Sequence, residues 1–270
     1  MNKGEIMPTN KIRVAMIGFG RTGKKIVRQI MKDDSLELVA VIRSKHGRDI
    51  GNTVGSVLHI KSDTHIWPEN NLDDVIKKTK PKIFIDFSSH SATYNHIKII
   101  AKNKINIIIG TTGFSDKELK KIKSYKKKIA IILAPNITEG VNILIELARR
   151  VSKVWPDCDI DILETHFKKK KDVPSGTALK IAKLLNNDRK MLAGKRANGL
   201  KKPKEITIHS IRAGGIIGKH EVLFATQNQI ITIVHESSSR LAFAEGAIKA
   251  AKWIYLKKPG LYSMKRVLNL

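Results

Sequence analysis

Short apolar runs alternate with segments of helical period along the first half of the chain. The runs are apolar nearly throughout, which is typical of parallel strands buried on both faces. Helical segments lie between them, such as KKIVRQIMKD after Gly23, HIKIIAKN after Asn95 and DKELKKIKSYKK after Ser115. This alternation predicts βαβ units in a doubly wound parallel sheet. The predicted strands are IRVAMIG at 12–18, LELVAVI at 36–42, PKIFIDFS at 81–88, INIIIGTT at 105–112 and IAIILAPN at 129–136.

The second half of the chain has a different pattern of predicted helices and strands. Residues 140–155 predict a long amphipathic helix, and DIDILETHF at 159–167 predicts a strand. A helix is expected from Thr177 to about Leu185, followed by a loop at 186–202. Three further runs predict an antiparallel or mixed sheet, before a last helix. They are EITIHSIRAG at 205–214, HEVLFATQ at 220–227 and QIITIVHES at 229–237, and the last helix covers 240–256.

This change of pattern divides the chain into two predicted domains. We expect a disordered tail at 1–10 and an α/β domain with a Rossmann-like doubly wound parallel sheet at 11–136. The last helix returns to that domain, so that residues 241–270 complete it. Residues 137–240 are expected to form a smaller α+β domain with a mixed sheet. A chain of 270 residues is long enough for both.

The charge balance is strongly positive. The chain carries 51 Lys and Arg residues against 24 Asp and Glu residues, a formal charge of +27. Such a field favours anionic partners, which include nucleic acid, membrane surfaces and small metabolites. The lysines are spread along the whole chain, however, and aromatic residues make up only 5%. Because single-stranded nucleic acid is typically bound by aromatic residues among basic ones, this pattern favours compositional drift over a nucleic-acid site.

Other features of the composition indicate a cytoplasmic protein. Cys158 is the single cysteine, which excludes an internal disulfide. The N-terminal segment MNKGEIMPTN is polar and lacks the apolar stretch of a signal peptide. No apolar run approaches the ~20 residues of a membrane helix, so we expect no membrane partner.

The first predicted strand ends in a glycine loop, GFGRTGKK at 18–25. This is the G-x-G-x-x-G pattern in its required place, after a strand and before a helix. Gly18 is expected to make the tight turn, Gly20 to let the backbone approach a pyrophosphate, and Gly23 to pack the helix on the strand. The helix N-terminus offers that anion free N–H groups and a favourable dipole. The loop therefore predicts a dinucleotide site.

Two other interpretations of the glycine loop remain open. The letters nearly match the phosphate-binding loop G-x-x-x-x-G-K-[ST], with Gly18, Gly23 and Lys24 in place. The last position is Lys25, however, and a lysine cannot coordinate Mg²⁺ as a hydroxyl does. The loop is also compatible with a structural turn that binds no nucleotide.

The end of the second predicted strand bears on the cofactor. Folds that prefer NAD place an Asp or Glu there for the ribose hydroxyls. Here Arg43, Ser44 and Lys45 occupy that place. Because basic residues suit a 2′-phosphate, we expect NADPH, with NADH as the second choice. The alternative is that these are surface residues of a lysine-rich chain.

The stretch HFKKKKDVPSGTAL at 166–179 joins a lysine run to a predicted helix N-terminus. Ser175, Gly176 and Thr177 bring hydroxyls and free N–H groups to one point, which suits a carboxylate. The same residues are also compatible with a plain helix cap. His166 is a candidate proton donor just before them, with lysines nearby. The combination favours a substrate site.

The pattern H-x-x-x-K-x-D-x-P-S-G-T, from His166 to Thr177, resembles the signature of the dihydrodipicolinate reductase family. The resemblance implies reduction of 4-hydroxy-tetrahydrodipicolinate to tetrahydrodipicolinate by NAD(P)H, in diaminopimelate and lysine biosynthesis. It extends over nearly the whole chain. Similar blocks occur in the family's order: IDFSSHSAT, IIIGTTGFS, APNITEGVNIL, IRAGGIIGKHEV, ESSSRLAFAEGAIKAAKW and KKPGLYSM.

The resemblance also implies roles and an assembly. His166 is expected to act as the general acid, and Lys170 to support charge that develops on the substrate ring. Ser175, Gly176 and Thr177 are expected to grip a carboxylate of a small dicarboxylate substrate, and the family implies a homotetramer. Residues 11–136 are thus expected to bind the dinucleotide, and residues 137–240 to bind the substrate and form the oligomer. The residues expected to contact the dinucleotide are Gly18, Phe19, Gly20, Arg21, Thr22, Gly23, Arg43, Gly110, Thr111, Thr112, Ala134 and Asn136.

Some features depart from the family pattern or leave alternatives. Phe167 stands where many members carry a second histidine, and Ser89 where many carry an arginine, which bears on affinity and cofactor preference. The alternatives are another Rossmann-fold reductase, such as an amino-acid dehydrogenase, and a basic nucleic-acid-binding protein. The other histidines show no metal-ligand spacing, so no metal site is expected. They are His46, His59, His65, His90, His96, His209, His220 and His235.

Overall fold

The computed structural model describes residues 11–185, 190–193 and 200–270, and the predicted tail at 1–10 lies outside them. The chain divides into two compact units. The first runs to Ile137 and resumes at Phe243–Asn269, and the second comprises Thr138–Ala242.

The strands are β1 (Ile12–Ile17), β2 (Leu36–Arg43), β3 (Ile66–Pro68), β4 (Ile83–Asp86), β5 (Asn106–Ile109), β6 (Ala130–Leu133), β7 (Asp159–His166), β8 (Lys190–Ala193), β9 (Glu205–Arg212), β10 (Lys219–Ala225), β11 (Ile230–Glu236) and β12 (Gly260–Tyr262). The α-helices are α1 (Arg21–Ile30), α2 (Val54–Leu58), α3 (Leu72–Thr79), α4 (His90–Lys102), α5 (Asp116–Ser124), α6 (Glu139–Val154), α7 (Gly176–Leu185), α8 (Leu241–Ile254) and α9 (Met264–Val267).

The first unit is built on a parallel sheet with the strand order β12-β6-β5-β4-β1-β2-β3. All of its pairings are parallel. Its central strands are buried because helices cover both faces. Ile26 of α1 and Ala247 of α8 pack into the core of one face, and Val75 of α3 and Ile97 of α4 into the core of the other. The predicted Rossmann-like doubly wound sheet is confirmed.

Two short strands of this sheet are not predicted by the sequence pattern. β3 pairs with β2, and β12 pairs with β6, where Gly260 lies opposite Ala130. The segment Phe243–Asn269 therefore supplies an edge strand as well as core residues of α8 and α9 to the first unit.

The second unit contains a five-stranded sheet in the order β11-β10-β7-β9-β8. β10 is antiparallel to β7 and β11, whereas β7, β9 and β8 are parallel, so the sheet is mixed. Side chains of α6 and α7 pack on one face, around Leu144, Ile162 and Ile181. Along β11 the side chains that alternate to the opposite face include Ile230 and Val234, both exposed.

The predicted loop at 186–202 is wrong in part, because β8 lies inside it and pairs with β9. Residues 186–189 and 194–199 of that loop lie outside the described residues. Within the described ranges, none of the helices combines the length and apolar character needed to cross a membrane.

Candidate active site

The glycine loop between β1 and α1 contains two close backbone approaches and one open position. Gly18 has a φ of +91°, and a Cβ there would lie 2.4 Å from the carbonyl oxygen of Phe87. A Cβ at Gly23 would lie 2.0 Å from the carbonyl oxygen of Gly18, so α1 packs directly on the loop. A Cβ at Gly20 would meet nothing within 4 Å, so this backbone borders open space. Any side chain at Gly18 or Gly23 would clash with a backbone carbonyl group, whereas Gly20 faces a cleft.

A cleft of about 760 Å³ opens beside this loop. Gly20 is the N-cap of α1 and supplies no side-chain hydrogen bond to the helix. The first-turn N–H groups of α1 have no acceptor within the helix and suit an anion. Gly18, Phe19, Gly20 and Arg43 line the cleft, and Arg21, Thr22 and Gly23 form the first turn of α1.

The end of β2 is less basic in the folded chain than the sequence suggests. The guanidinium of Arg43, which lines the cleft, is paired with Asp49. The Nζ atom of Lys24 lies 3.7 Å from the same carboxylate. Glu69 also lines the cleft and accepts a 3.4 Å hydrogen bond from the N–H of Lys45. Folding therefore brings two acids, Asp49 and Glu69, to the end of a strand where residues 43–45 include none.

The loop after β5 packs against the turn after β4. A Cβ at Gly110 would lie 2.3 Å from the ring of Phe87, the residue that Gly18 also contacts. The hydroxyl of Thr111 lies 3.3 Å from Oδ1 of Asp86. The glycine loop and the loop after β5 thus meet at one turn. Of the other residues predicted to contact the dinucleotide, Thr112 is exposed, and Ala134 and Asn136, which follow β6, are buried.

Asp86, at the end of β4, is a buried carboxylate that no motif in the sequence indicates. Its Oδ1 atom accepts hydrogen bonds from the N–H and the hydroxyl of Ser88, at 2.9 and 2.6 Å. Its Oδ2 atom has no hydrogen-bond partner within the described part of the chain. Burial raises the pKa of Asp86 and outweighs the bonds from Ser88. Asp86 therefore fixes the turn beneath the cleft at an electrostatic cost.

These features fit a dinucleotide. The cleft has the volume of a typical small-molecule site. The N-terminus of α1 and the open backbone at Gly20 would hold the pyrophosphate, and Arg43 and Lys45 lie in the wall where a ribose phosphate would be recognised.

In the second unit, His166 ends β7 and is buried. Its Nδ1 atom is hydrogen-bonded to Glu164, which lies two residues earlier on the same face of the strand. The other oxygen of Glu164 accepts bonds from Nη2 of Arg212 at 2.7 Å and from the N–H of Ser175 at 3.2 Å. Burial by itself would raise the pKa of Glu164, but the bonds from His166 and Arg212 lower it to about 2. An ionised carboxylate therefore holds the imidazole.

Lys170 differs from the other lysines of its run. Its side chain is 21% exposed, and its Nζ atom lies 2.8 Å from Oδ1 of Asp172, whereas the other three lysines are exposed. The carbonyl oxygen of Asp172 accepts a 2.7 Å hydrogen bond from Arg212. Arg212 thereby connects the segment of Lys170 to the pair of Glu164 and His166.

Ser175 is buried at the N-terminus of α7. Its Oγ atom accepts a 3.2 Å hydrogen bond from the N–H of Ala178 and lies 3.3 Å from Nε2 of His220. The hydroxyl is therefore engaged within the protein. Gly176 is exposed and Thr177 is half-buried, so the solvent-facing part of the motif begins at Gly176.

His220 on β10 is a second histidine of this site, and no motif in the sequence indicates it. It lies directly opposite Glu164 in the pairing of β10 with β7, and its ring centroid is 5.2 Å from that of His166. Burial, with a contribution from the charge of His166, lowers the pKa of His220 to about 3, so it is neutral at neutral pH. In the part of the chain that the structure describes, no three His, Cys, Asp or Glu side chains are grouped closely enough to hold a metal ion.

Family models match both halves of the chain. Residues 12–137 match "Dihydrodipicolinate reductase, N-terminus", and residues 140–268 match "Dihydrodipicolinate reductase, C-terminus". The chain belongs to the dihydrodipicolinate reductase family. Membership confirms the resemblance seen in the sequence, the oxidoreductase class, a pyridine nucleotide as cofactor and a place in lysine and diaminopimelate biosynthesis.

Relatives in this reductase family match along nearly their full length. The 4-hydroxy-tetrahydrodipicolinate reductase of Buchnera aphidicola subsp. Acyrthosiphon pisum (strain APS) is 38% identical over 273 residues, which cover 96% of this chain and 99% of the relative. That of Methanosarcina barkeri (strain Fusaro / DSM 804) is 38% identical over 268 residues, with 96% and 100% covered. A solved structure, dipicolinate-bound dihydrodipicolinate reductase from Paenisporosarcina sp. TG-14, has a TM-score of 0.75 and 26% identity, and the match covers 94% of this chain and 98% of that one.

Proposed function

We propose that this chain reduces 4-hydroxy-tetrahydrodipicolinate to tetrahydrodipicolinate, with NADPH as the preferred reductant and NADH as the second. The observation that carries the proposal is the buried His166, held by an ionised carboxylate in a site that also contains the half-buried Lys170. The relatives from Buchnera and Methanosarcina bear the name of this activity, and the solved relative is described with dipicolinate bound.

The chemistry needs a proton donor and a fixed cation. Loss of water from the hydroxylated ring gives a conjugated cyclic imine, and a reduced nicotinamide nucleotide, held in the cleft beside Gly20, would supply the hydride. The electron pair moves toward the ring nitrogen, so the reaction consumes one hydride and one proton and releases one water. His166 supplies the proton from Nε2, since Nδ1 is bound to Glu164. Lys170 stabilises the developing negative charge.

We propose that the start of α7 binds a carboxylate of the substrate. Gly176 is exposed there, and a helix N-terminus favours an anion. Ser175 would act mainly as the cap that fixes this turn, because its hydroxyl already bonds Ala178 and lies beside His220.

The preference for NADPH rests on Arg43 and Lys45 in the wall of the cleft. Both are cations at the place where a 2′-phosphate would be recognised. Asp49 shares the charge of Arg43, so the preference is expected to be modest and NADH to remain usable.

We further propose a homotetramer assembled through the second unit. The face of its sheet opposite α6 and α7 carries exposed apolar side chains, such as Ile230 at 67% and Val234 at 50% exposure. An apolar sheet face of this kind is typical of an interface between copies of a chain.

The test is oxidation of NADPH and of NADH, followed by absorbance, with freshly prepared 4-hydroxy-tetrahydrodipicolinate. We expect substrate-dependent oxidation of both, with the larger kcat/KM for NADPH. His166→Ala should lower kcat by roughly 10²–10⁴-fold. NADPH should still bind, as measured by nucleotide fluorescence. Full activity of His166→Ala, or no turnover of this substrate by the parent enzyme, would contradict the proposal.

A further inference from the structure

Glu164 is the most completely buried acid of the second unit's site. Its side chain is 0% exposed, and it lies on the face of β7 that continues into the core. A carboxylate in such a place is costly unless its oxygens are all engaged. The hydrogen-bond partners of Glu164 therefore indicate which groups its carboxylate positions.

The two oxygens of Glu164 have different partners. One binds Nδ1 of His166, and the other accepts bonds from Arg212 and from the N–H of Ser175. Because an ionised carboxylate only accepts hydrogen bonds, Nδ1 of His166 must be the donor. The proton on Nδ1 is thereby fixed, and Nε2 is the nitrogen that can exchange a proton.

Nε2 of His166 lies on the side of Gly218, where a Cβ would come within 3.1 Å of it. No side chain of residue 218 stands there, so this nitrogen has room on that side. Glu164 thus fixes both the rotation of the imidazole and the nitrogen that carries the exchangeable proton.

Arg212 connects the pair of Glu164 and His166 to a further segment of the site. It is 15% exposed, and its Nη2 atom bonds both Glu164 and the carbonyl oxygen of Asp172, whose carboxylate is paired with Lys170. A single guanidinium therefore ties the carboxylate behind His166 to the segment that carries Lys170.

We propose that Glu164 is a positioning residue, which with Arg212 as its clamp holds His166 as the Nδ1–H form and directs Nε2 to the substrate. This inference rests on the general-acid role given to His166 in the proposed function. The charged and titratable groups that face this pair come from four elements. They are Arg212 of β9, His220 of β10, His235 of β11, and Lys170 and Asp172 of the loop before α7.

Glu164→Gln is the decisive variant, because it removes the charge and keeps the shape. We expect kcat to fall at least about tenfold, and up to ~10⁴-fold, as when an amide replaces the carboxylate partner of a catalytic histidine. Without the negative charge the imidazolium loses its proton more easily, so the alkaline limb of the kcat profile should shift to lower pH by about one unit or more. NADPH binding should be unchanged.

The matched control is Asp161→Asn, on the same strand. Its carboxylate is paired with Lys201 and His209, away from His166. We expect its kcat and pH profile to match the parent. If Glu164→Gln lowers kcat without moving the alkaline limb, or leaves both unchanged, the positioning role is overturned. Loss of activity in His166→Ala would still support the proposed function in that case.

A measurement on the parent enzyme covers the possibility that Glu164→Gln does not fold. ¹⁵N spectra of histidine-labelled protein, with His166 assigned by comparison with His166→Ala, report which nitrogen carries the proton. We expect neutral His166 to be protonated at Nδ1. A neutral ring protonated at Nε2 would overturn the inference.

Discussion

Gly218 lies beside the nitrogen of His166 that the mechanism uses: a Cβ at position 218 would come 3.1 Å from Nε2. The backbone of Gly218 does not have the left-handed φ that disfavours alanine, so Gly218→Ala adds one methyl group next to Nε2. We expect kcat to fall by roughly tenfold or more, because the methyl group crowds the proton-donating atom. Steady-state kinetics measures this, with NADPH binding as the reference.

Gly215→Ala provides the control for Gly218→Ala. Position 215 lies in the same connection between β9 and β10, and a Cβ there would meet nothing within 4 Å. We expect parent-like kcat from Gly215→Ala. Equal kinetics for the two variants would mean that space beside His166 does not limit the reaction.

Lys170 should be separable from its neighbours in the run. It alone among the four is half-buried and paired with Asp172, so Lys170→Ala should lower kcat by roughly 10²–10³-fold, as the loss of one preorganised group typically does. Lys169→Ala changes the bulk field equally, and it should stay within a few-fold of the parent at moderate salt. A larger loss from Lys169→Ala than from Lys170→Ala would place the functional cation elsewhere.

The ratio of NADPH to NADH use should depend on Asp49 as well as Arg43. Removal of the acid in Asp49→Asn frees the guanidinium for a 2′-phosphate, so the ratio of kcat/KM values should rise about three- to tenfold, or roughly 1 kcal/mol. Arg43→Ala should lower the same ratio. Both are read from initial rates with each nucleotide.

Glu37→Gln is the matched control for Asp49→Asn. Glu37 is paired with Arg13 at 2.8 Å, at the amino end of β2, whereas Arg43 ends that strand. Its ratio of NADPH to NADH use should equal that of the parent. If Glu37→Gln and Asp49→Asn change the ratio equally, the change reflects the net charge of the protein and not the pairing of Asp49 with Arg43.

Asp86 should give the first unit an unusual pH dependence. Its pKa is raised by burial above the ordinary 3.8, so its contribution to stability is present at low pH and is lost as pH rises through the folded-state pKa. Asp86→Asn keeps the acceptor for Ser88 and removes the buried charge. We therefore expect its thermal midpoint to exceed that of the parent near pH 8, with the advantage shrinking toward pH 4.

Asp33→Asn should show the opposite sign. The bonds of Asp33 with Lys252 and Ser35 outweigh its burial and lower its pKa, so its contribution is present above pH 3.8 and is lost as pH falls through the folded-state value. This variant should be less stable than the parent at neutral pH and approach it in acid. Midpoint curves that run parallel for parent and Asp86→Asn would contradict the assignment for Asp86.

The open face of the second unit's sheet should control assembly. Val234→Lys places a charge there, opposite Glu221 of β10, which favours the sheet itself. We expect the parent to have the mass of four 30.2 kDa chains by light scattering, and Val234→Lys to have a smaller mass. Val154→Lys, at a 75% exposed position of α6, is the control and should leave the mass unchanged. A monomeric parent would contradict the proposed tetramer.

The strands that the sequence predicts are those whose burial leaves an apolar run. β1 and β4 are buried almost throughout, and their sequences are accordingly almost entirely apolar. β3 and β12 are three residues each and only partly buried, so no periodicity can reveal them. Both lie at sheet edges, where one neighbour is missing and the demand for apolar side chains is weaker.

The site shows the same division between local and distant information. His166 and Lys170 are recognised because they lie in one short stretch of letters. Glu164 is two residues before His166 on a strand, which is a usable signal, since such neighbours share a face. His220 becomes part of the site only through the register of β10 on β7, and Asp49 reaches Arg43 only through the folding of a loop. No pattern along the chain contains those pairings.

The edge strand β12 has a consequence for the order in which the two units can be completed during synthesis. As the ribosome extends the chain, Thr138–Ala242 of the second unit emerges before Gly260–Tyr262, which completes the sheet of the first. The core residues of α8 and α9 also follow Thr138–Ala242 along the chain. The first unit therefore cannot complete its sheet before Thr138–Ala242 has been synthesised, unlike a domain that is continuous in sequence and can fold as soon as it emerges. Until Gly260–Tyr262 has been synthesised, β6 presents an unpaired outer edge, which is the kind of edge that can pair with another chain.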